Sequence, residues 1–583
     1  MKPPRLTPAM RQRLHARMVG MDALWHLALF GVLSGLLAGL VIVAFRLLIE
    51  SVQMSFLADS NPENYEALAW WWRLLLPIGG GLLIGLVFQA TQAQSRSVGV
   101  VHVMERLAYH QANLPLSNAI MQFFGAAVAI ISGHSVGREG PAVHLGATAG
   151  SRLAQGLHLS NSSSRTLVAC GVAAAIAASF NTPLAGVVFA MEVVLMEYVL
   201  ASFIPVILAA VAATIVSRIF FGDAPAFDVP PMQLGSMQEI PYVLLLGLVV
   251  GCIAALFYYC LRYFSAVAKG RPLWQRTTLA GLLVGVCAVF VPAIMGIGYD
   301  TVNGAMLGQL GIGLLLLIVL VKVVATSAAL GLGVPGGLIG PTLMIGACAG
   351  AALGALAAML SPDVTSSAGH YAMIGMGAMM GATLQAPLAA LIALLELTAN
   401  PHIILPGMLA IVSASLVSSQ VFGTRSIFMM LGEMRGLNYQ DSPVAQALRR
   451  ISVMKGMDRE VVHCSRQLGA AEADEILRRQ PHWLVFDCDK ERAQVLAPAD
   501  LARQLEAADG EGLIDLAAIP AQRAEALAID MRASLQEALQ LLRERQAEML
   551  YVVNRADPDC CAVLGVLTEE DIEEHYRYPA TNA

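Results

Sequence analysis

Charge is what this chain of 583 residues has least of. Asp, Glu, Lys and Arg together make up 13% of it, about half of the ~25% usual in soluble domains. Such scarcity excludes a surface solvated on all sides. With a net charge of −6 it also leaves no basic face for nucleic acid. Cysteine chemistry is missing too. Nine cysteines are scattered with no C-x-x-C spacing, and Cys560-Cys561 are simply adjacent, so no metal centre or disulfide framework is indicated. Cys170, Cys252, Cys260, Cys287 and Cys348 lie in apolar segments, where a free cysteine acts as a small hydrophobe. The sequence therefore predicts no metal and no required cofactor. No small-residue cleavage site follows the first apolar run, which is read as a membrane span and not a secretory signal. Acidic residues are absent from most of the apolar runs, which counts against a cation pathway lined by carboxylates.

Apolar residues fill the space that charge leaves. They make up 57% of the chain, and the mean hydropathy is +0.64. Leu27 to Leu48, Val199 to Ser217, Tyr242 to Leu261, Thr277 to Gly298, Gly311 to Gly333 and Ile403 to Phe422 are each long enough to span a bilayer, which takes about 20 apolar residues. A multi-pass protein embedded in membrane lipid is expected. Lys2, Arg5, Arg11, Arg13 and Arg17 form a basic leader over residues 1–21, which the positive-inside rule places in the cytoplasm. Asp59 to Trp72 is polar and ends in three tryptophans, the pattern of an external loop with an interfacial anchor.

Two stretches of the membrane part are broken by Gly, Pro, Ser and Asn, and they resemble each other. Gly137-Arg-Glu-Gly-Pro141 answers to Gly337-Leu-Ile-Gly-Pro341. Further on, Pro183-Leu-Ala185 has Glu192 nine residues after its proline, as Pro387-Leu-Ala389 has Glu396. Interrupted segments at matching places in two halves point to a transport site at a repeat interface. The halves are read as residues 22–217 and 238–424, inverted with respect to each other.

The first loop holds the most informative residue. Gly133-His-Ser-Val-Gly-Arg-Glu-Gly-Pro-Ala-Val-His-Leu145 puts Glu139 and Arg138 between apolar runs, and ionisable groups at that depth are functional by default. Pro141 suits the first turn of a helix. A helix N-terminus favours negative charge through its free N–H groups and its dipole. Glu139 thus reads as a movable anionic plug competing with a permeant anion, rather than as a cap of its own helix. Arg138 reads as a structural partner. The second loop, Gly331 to Pro341, reads as anion-coordinating backbone. Glu192 and Glu396 read as matching structural hydrogen bonds, and Lys322 as lining the interior or snorkelling. Gly133-His-Ser-Val-Gly137 also spells G-x-S-x-G, but a nucleophile elbow needs a strand before it and a partnered base. An intramembrane serine hydrolase is therefore a remote alternative.

After about residue 440 the composition changes. Trp483–Phe486 and Met549–Val553 read as strands, and Ala471–Arg479 and Leu535–Gln546 as amphipathic helices. Residues 441–583 are expected to form a cytoplasmic α/β pair of units at about 450–505 and 525–580.

These motifs resemble the CLC family of chloride channels and chloride/proton exchangers. The match rests on Gly133-x-x-x-Gly-Arg-Glu-Gly-Pro141, Phe180-Asn-Thr-Pro-Leu-Ala-Gly186, Gly296-Ile-Gly-Tyr299, Gly333-Val-Pro-Gly-Gly-Leu-Ile-Gly-Pro341 and Glu396-Leu-Thr398, in order across residues 22–424. The tail resembles paired CBS domains, with Gly565-Val-Leu-Thr-Glu-Glu-Asp571 as the end of the second. The resemblance implies an all-α, inverted-repeat membrane domain with a cytoplasmic CBS pair, working as a homodimer in the bacterial inner membrane with both termini cytoplasmic. It makes Glu139 the gating residue. Chloride would be bound by the backbone amides of Arg138, Glu139, Gly140, Leu338 and Ile339.

Three positions depart from the family's pattern. The pore serine falls on Val98, beside Gly99, and the pore tyrosine on Phe428, so two hydroxyl donors are lost from the pore lining. The inner proton glutamate falls on Val193, as in the family's channels. A chloride channel gated at Glu139 by voltage or pH is therefore expected first, with chloride/proton exchange as the alternative. A CBS-bearing cation transporter is more remote. Thr568 and Asp571 match positions that hold a nucleotide ribose in related domains, so the CBS pair is a candidate site for ATP or another adenine nucleotide, with a structural dimer contact as the other reading.

Overall fold

The computed structural model describes residues 23–57, 62–223, 227, 237–361, 366–437, 443–488, 491–507, 513–554 and 563–575. The basic leader and Cys560-Cys561 lie outside these residues. The chain divides into two compact units. One holds the residues up to Leu157 together with Arg165–Tyr439, the other His158–Ser164 together with the residues from Gln440 on.

The first unit is built from helices alone, because a backbone in lipid must satisfy its polar groups internally. The unbroken helices are α1 (Ala23–Phe56), α2 (Trp70–Ala90), α8 (Leu200–Phe221), α9 (Ile240–Val267), α10 (Leu273–Phe290) and α12 (Ile312–Gly331). The first broken region folds as α3 (Val100–Tyr109), α4 (Leu116–Ile131), α5 (Glu139–Gly156), α6 (Asn161–Phe180) and α7 (Pro183–Phe189). A π-turn over Ala190–Leu195 continues α7. After the short α11 (Tyr299–Met306), the second broken region folds as α13 (Ile339–Leu360), α14 (Ala368–Leu384), α15 (Pro387–Thr398), α16 (Ile404–Leu416) and α17 (Ile427–Met434).

Among the described residues, nine helices are long and apolar enough to cross a membrane. Their burial sorts them. The most apolar stretch of α6 is 89% buried and that of α2 only 33%, so α6 is central while α2 faces outward. Leu29, Leu33, Leu37 and Leu40 make the same kind of exposed face on α1, as lipid-facing residues should. The expected span Thr277 to Gly298 is shorter than its hydropathy suggests. α10 stops at Phe290 and a single turn, Pro292–Ile294, follows, because Pro292 has no N–H to extend the helix.

The second unit is α/β. After α18 (Pro443–Arg450) and α19 (Val453–Gly456), the chain forms β1 (Val461–His463), β2 (Gln467–Gly469), α20 (Ala470–Arg478), β3 (Trp483–Phe486), β4 (Arg492–Leu496), α21 (Pro498–Ala507) and β5 (Leu513–Asp515). Then come β6 (Ala524–Asp530), α22 (Leu535–Arg545), β7 (Met549–Val553), β8 (Val563–Thr568) and α23 (Glu569–Glu574). Six strands form one sheet in the order β1-β3-β4-β6-β7-β8. β1–β3 and β6–β7 are parallel, β3–β4 and β7–β8 antiparallel, and β4–β6 joins the halves. The same strand–helix–strand–strand unit therefore occurs twice. Both expected strands have their expected bounds. α22 buries Leu535, Ala538, Leu539 and Leu542 against Leu550, Val552 and Leu567 of the sheet.

Candidate functional site

The two matching loops meet. α4 ends at Ile131 and α12 at Gly331, and each chain turns back to start a new helix, α5 with Arg138 as N-cap and α13 with Leu338. At the turn, the Gly137 N–H donates to the Gly337 carbonyl at 2.7 Å, and the Gly337 N–H donates to the Gly137 carbonyl at 2.7 Å. Only glycine allows this approach. A Cβ on Gly337 would lie 2.6 Å from the Gly140 nitrogen, and one on Gly140 would lie 2.8 Å from the Gly337 Cα. Two helix N-termini thus stand side by side inside the helical unit, each with first-turn N–H groups that have no acceptor in their own helix. The candidate amides of Arg138, Glu139 and Gly140 belong to the first, those of Leu338 and Ile339 to the second. The summed dipoles favour an anion between them.

Glu139 supplies negative charge there. Its side chain is fully buried. Its Oε2 accepts the Gly340 N–H at 3.2 Å and its Oε1 accepts the Tyr299 hydroxyl at 2.9 Å. The carboxylate of α5 therefore sits on the start of α13, reaching across the loop pair instead of capping its own helix. Arg138 points elsewhere: its guanidinium lies 3.5 Å from Glu50, donates to the Ser179 carbonyl at 3.2 Å and lies over the Tyr299 ring at 5.4 Å. That is the structural partnership the sequence suggested.

Tyr299 and Glu63 escape assignment from sequence, although Tyr299 stands in the quoted Gly296-Ile-Gly-Tyr299 motif, and sequence assigns Lys322 only to lining the interior or snorkelling. Lys322 is interior. Its buried Nζ donates to the carbonyls of Ile294 and Gly296, each at 3.0 Å, and so holds the turn that delivers Tyr299. From the loop between α1 and α2, the Glu63 carboxylate accepts the N–H groups of Tyr299 at 2.8 Å and Asp300 at 3.1 Å, at the start of α11. Burial raises the Glu63 carboxyl to about 7, and the nearby Asp300 charge adds to the push. Side-chain roles of this kind depend on loops far apart in sequence, so spacing could not reveal them.

The remaining candidates occupy a different part of the unit. Gly99, with φ +85°, is the N-cap of α3, and Val98 precedes it half-buried. α17 packs against α3, and Phe428 near its start is buried. Val193 is buried in the π-turn after α7, and α3 packs against that turn as well. Glu192 and Glu396 make the symmetrical bonds expected of them. Glu192 accepts the N–H groups of Leu388 at 3.3 Å and Ala389 at 2.6 Å. Glu396 accepts those of Leu184 at 3.0 Å and Ala185 at 2.7 Å. Each caps the helix that starts at the other half's proline.

The geometry bears on two further sequence readings. Ser135 of the G-x-S-x-G string follows a helix and pairs with the Thr326 hydroxyl at 2.8 Å. His134 meets Ser132 and His144 meets His102, so Ser135 has no base and the hydrolase reading falls. In the tail, Thr568 and Asp571 face each other in a capping box at the start of α23, with the Thr568 hydroxyl donating to the Asp571 carboxylate at 2.7 Å. Their polar atoms are already engaged in that cap.

Comparison with known proteins places this arrangement. The sequence model of the family described as "Voltage gated chloride channel" matches residues 80–419. A "Putative chloride channel protein ClcB-like" from Ralstonia nicotianae is 35% identical over 405 residues, which are 68% of this chain and 94% of that protein. The "H(+)/Cl(-) exchange transporter ClcA" of Vibrio cholerae is 33% identical over 320 residues, 53% of this chain and 68% of that protein. Among solved structures, a slow cyanobacterial Cl-/H+ antiporter superposes with a TM-score of 0.63 at 23% identity, over 71% of this chain and 99% of the other. A eukaryotic CLC transporter superposes with a TM-score of 0.61 at 19% identity, over 95% and 99%. The family moves chloride without a cofactor and its members are transport proteins, not enzymes. This multi-pass helical chain belongs to the voltage-gated chloride channel family, the CLC proteins.

Proposed function

We propose that the chain exchanges chloride for protons, with Glu139 as the gate. The observation that carries this is the Glu139 carboxylate on the Gly340 N–H. Chloride binding to the same pair of helix starts must displace that carboxylate. Protonation removes its charge and weakens its hold on the N–H donors, so binding a proton and admitting chloride become one event. The anion is held by the backbone amides of Arg138, Glu139, Gly140, Leu338 and Ile339. Val98 and Phe428 offer no hydroxyl. Each missing hydrogen bond to a charged ligand is worth roughly 1.5–3 kcal/mol, which makes the central site weak. Relatives named as exchange transporters support exchange ahead of the channel first expected from sequence. Val193 and the channel name of the Ralstonia relative support the channel, which is the second reading.

The same proposal takes the membrane halves, residues 22–217 and 238–424, as inverted repeats. The reciprocal Glu192 and Glu396 caps support that pairing. Two copies make a homodimer in the bacterial inner membrane, each copy with its own pathway and both termini in the cytoplasm. The tail is taken as a CBS pair, a reading supported by its repeated strand–helix–strand–strand unit. Its role is a dimer contact, because a nucleotide such as ATP would have to break the Thr568–Asp571 cap.

Purified protein in chloride-loaded vesicles tests exchange. Chloride efflux should drive protons against their gradient, and efflux without proton movement would return the channel reading. Glu139→Gln should give chloride flux that ignores pH and moves no protons. Unchanged pH dependence in that variant would remove Glu139 from the gate.

A further inference from the structure

Exchange requires protons to reach Glu139, which is fully buried, from both sides of the membrane, and Val193 cannot carry them. We propose that His102 and His144 relay protons between Glu139 and the side of the membrane on which α2 ends. The inference rests on the exchange reading.

The chain's path puts the pair in position. α1 and α2 cross in succession, so α3 begins on the side where α1 began. His102 stands on the first turn of α3, three residues after Gly99. His144 stands on α5, five residues after Glu139, or about 7.5 Å along the helix. α3 packs against α5, and the two rings meet with His102 Nδ1 and His144 Nε2 2.9 Å apart. The rings are inclined at 62°. His102 keeps 3% of its surface open and His144 none. The other nitrogen of the inner ring, His144 Nδ1, is buried without a partner.

A mere tie between helices would not need these features. One hydrogen bond suffices to join α3 to α5, and leaving a ring nitrogen unpaired inside a protein is costly. Two imidazoles in line, each with a nitrogen on either edge, form a path for a proton instead. The titratable and charged groups near the pair are Arg106 on α3, His110 just after it and Arg435 after α17, with Glu105 on α3 next to Arg106 in sequence. Buried, and with cations beside it, His102 is a poor place for a charge to rest. The pair therefore passes a proton without storing one. A proton from water bonds to His102 Nε2. The His102 Nδ1–H bond breaks as that proton moves to His144 Nε2. The proton on His144 Nδ1 leaves through a bridging water toward the Glu139 carboxylate. One proton enters, one leaves, and turning of the two rings resets the tautomers.

The test measures chloride and proton fluxes separately in vesicles holding the full-length protein, His102→Gln or His144→Gln. Glutamine keeps a hydrogen-bonding group but cannot relay a proton. The expected result is a proton flux lowered about tenfold or more with chloride flux persisting, so that more chloride ions cross per proton. If the parent protein pumps protons and both variants keep its ratio, the relay is overturned while exchange stands. If the parent moves no protons uphill, exchange and relay fall together. Should one variant lose chloride flux as well, the other decides. If both lose it, the pair is a structural tie and the relay is wrong.

Discussion

At the scale of single residues, the resting place of Glu139 depends on groups that have no charge to advertise them. Tyr299 donates to one carboxylate oxygen and the Gly340 amide to the other. Removing a hydrogen bond to a charged group costs roughly 1.5–3 kcal/mol, about a tenfold to hundredfold bias. Tyr299→Phe should shift Glu139 out of the pathway by that factor. Chloride flux into vesicles at neutral pH should rise, and an unchanged flux would mean that the tyrosine does not hold the gate. Glu63, behind Tyr299, gives a prediction about stability. Its carboxyl is raised to about 7 by burial, with Asp300 contributing, so the fold favours the protonated form. That contribution is fully present below the ordinary glutamate value of 4.5 and is lost as pH rises through about 7. Melting temperature should therefore fall over that window, and Glu63→Gln should flatten the fall. A variant that melts with the parent's pH profile would show that Glu63 contributes nothing to it.

At the scale of elements, the loop pair is where sequence was most readable. G-x-x-G-P occurs twice because two helix starts must approach within backbone contact, and the residue type records that demand directly. Gly337→Ala places a methyl 2.6 Å from the Gly140 nitrogen and must push the helix starts apart. Overpacking of this kind costs typically 1–3 kcal/mol. The variant should unfold at lower temperature or denaturant concentration than the parent, and should lose the pH dependence of its flux. Equal stability would mean that the loops stand further apart in solution. The paired glutamates were legible by half. Identical spacing from a Pro-Leu-Ala start marked Glu192 and Glu396 as equivalent and structural. That each caps the helix of the opposite half could not be read, because spacing describes neighbours within a helix and not partners about 200 residues away.

At the scale of the molecule, α7, α8, α15 and α16 expose Leu184, Ile204, Leu208, Leu388, Leu405 and Met408, apolar surface that either lipid or a second copy can cover. The proposed homodimer predicts that light scattering on the detergent-solubilised protein gives a protein mass twice the 61.7 kDa of one chain. A single-chain mass would exclude it.

Sequence by itself determined that the chain lies in a membrane, because hydropathy adds up residue by residue and needs no fold. It also determined the two loops, since glycine and proline act on the backbone at their own positions. The family followed from the order of those loops. Tertiary structure decided what Glu139 touches. Its carboxylate meets Gly340 and Tyr299, about 200 and 160 residues further along the chain, and such contacts exist only once helices from both halves have packed. It also paired His102 with His144, two residues to which sequence assigned no role. A side chain's chemistry is written in its type, but its task depends on which other segments the packing brings within reach.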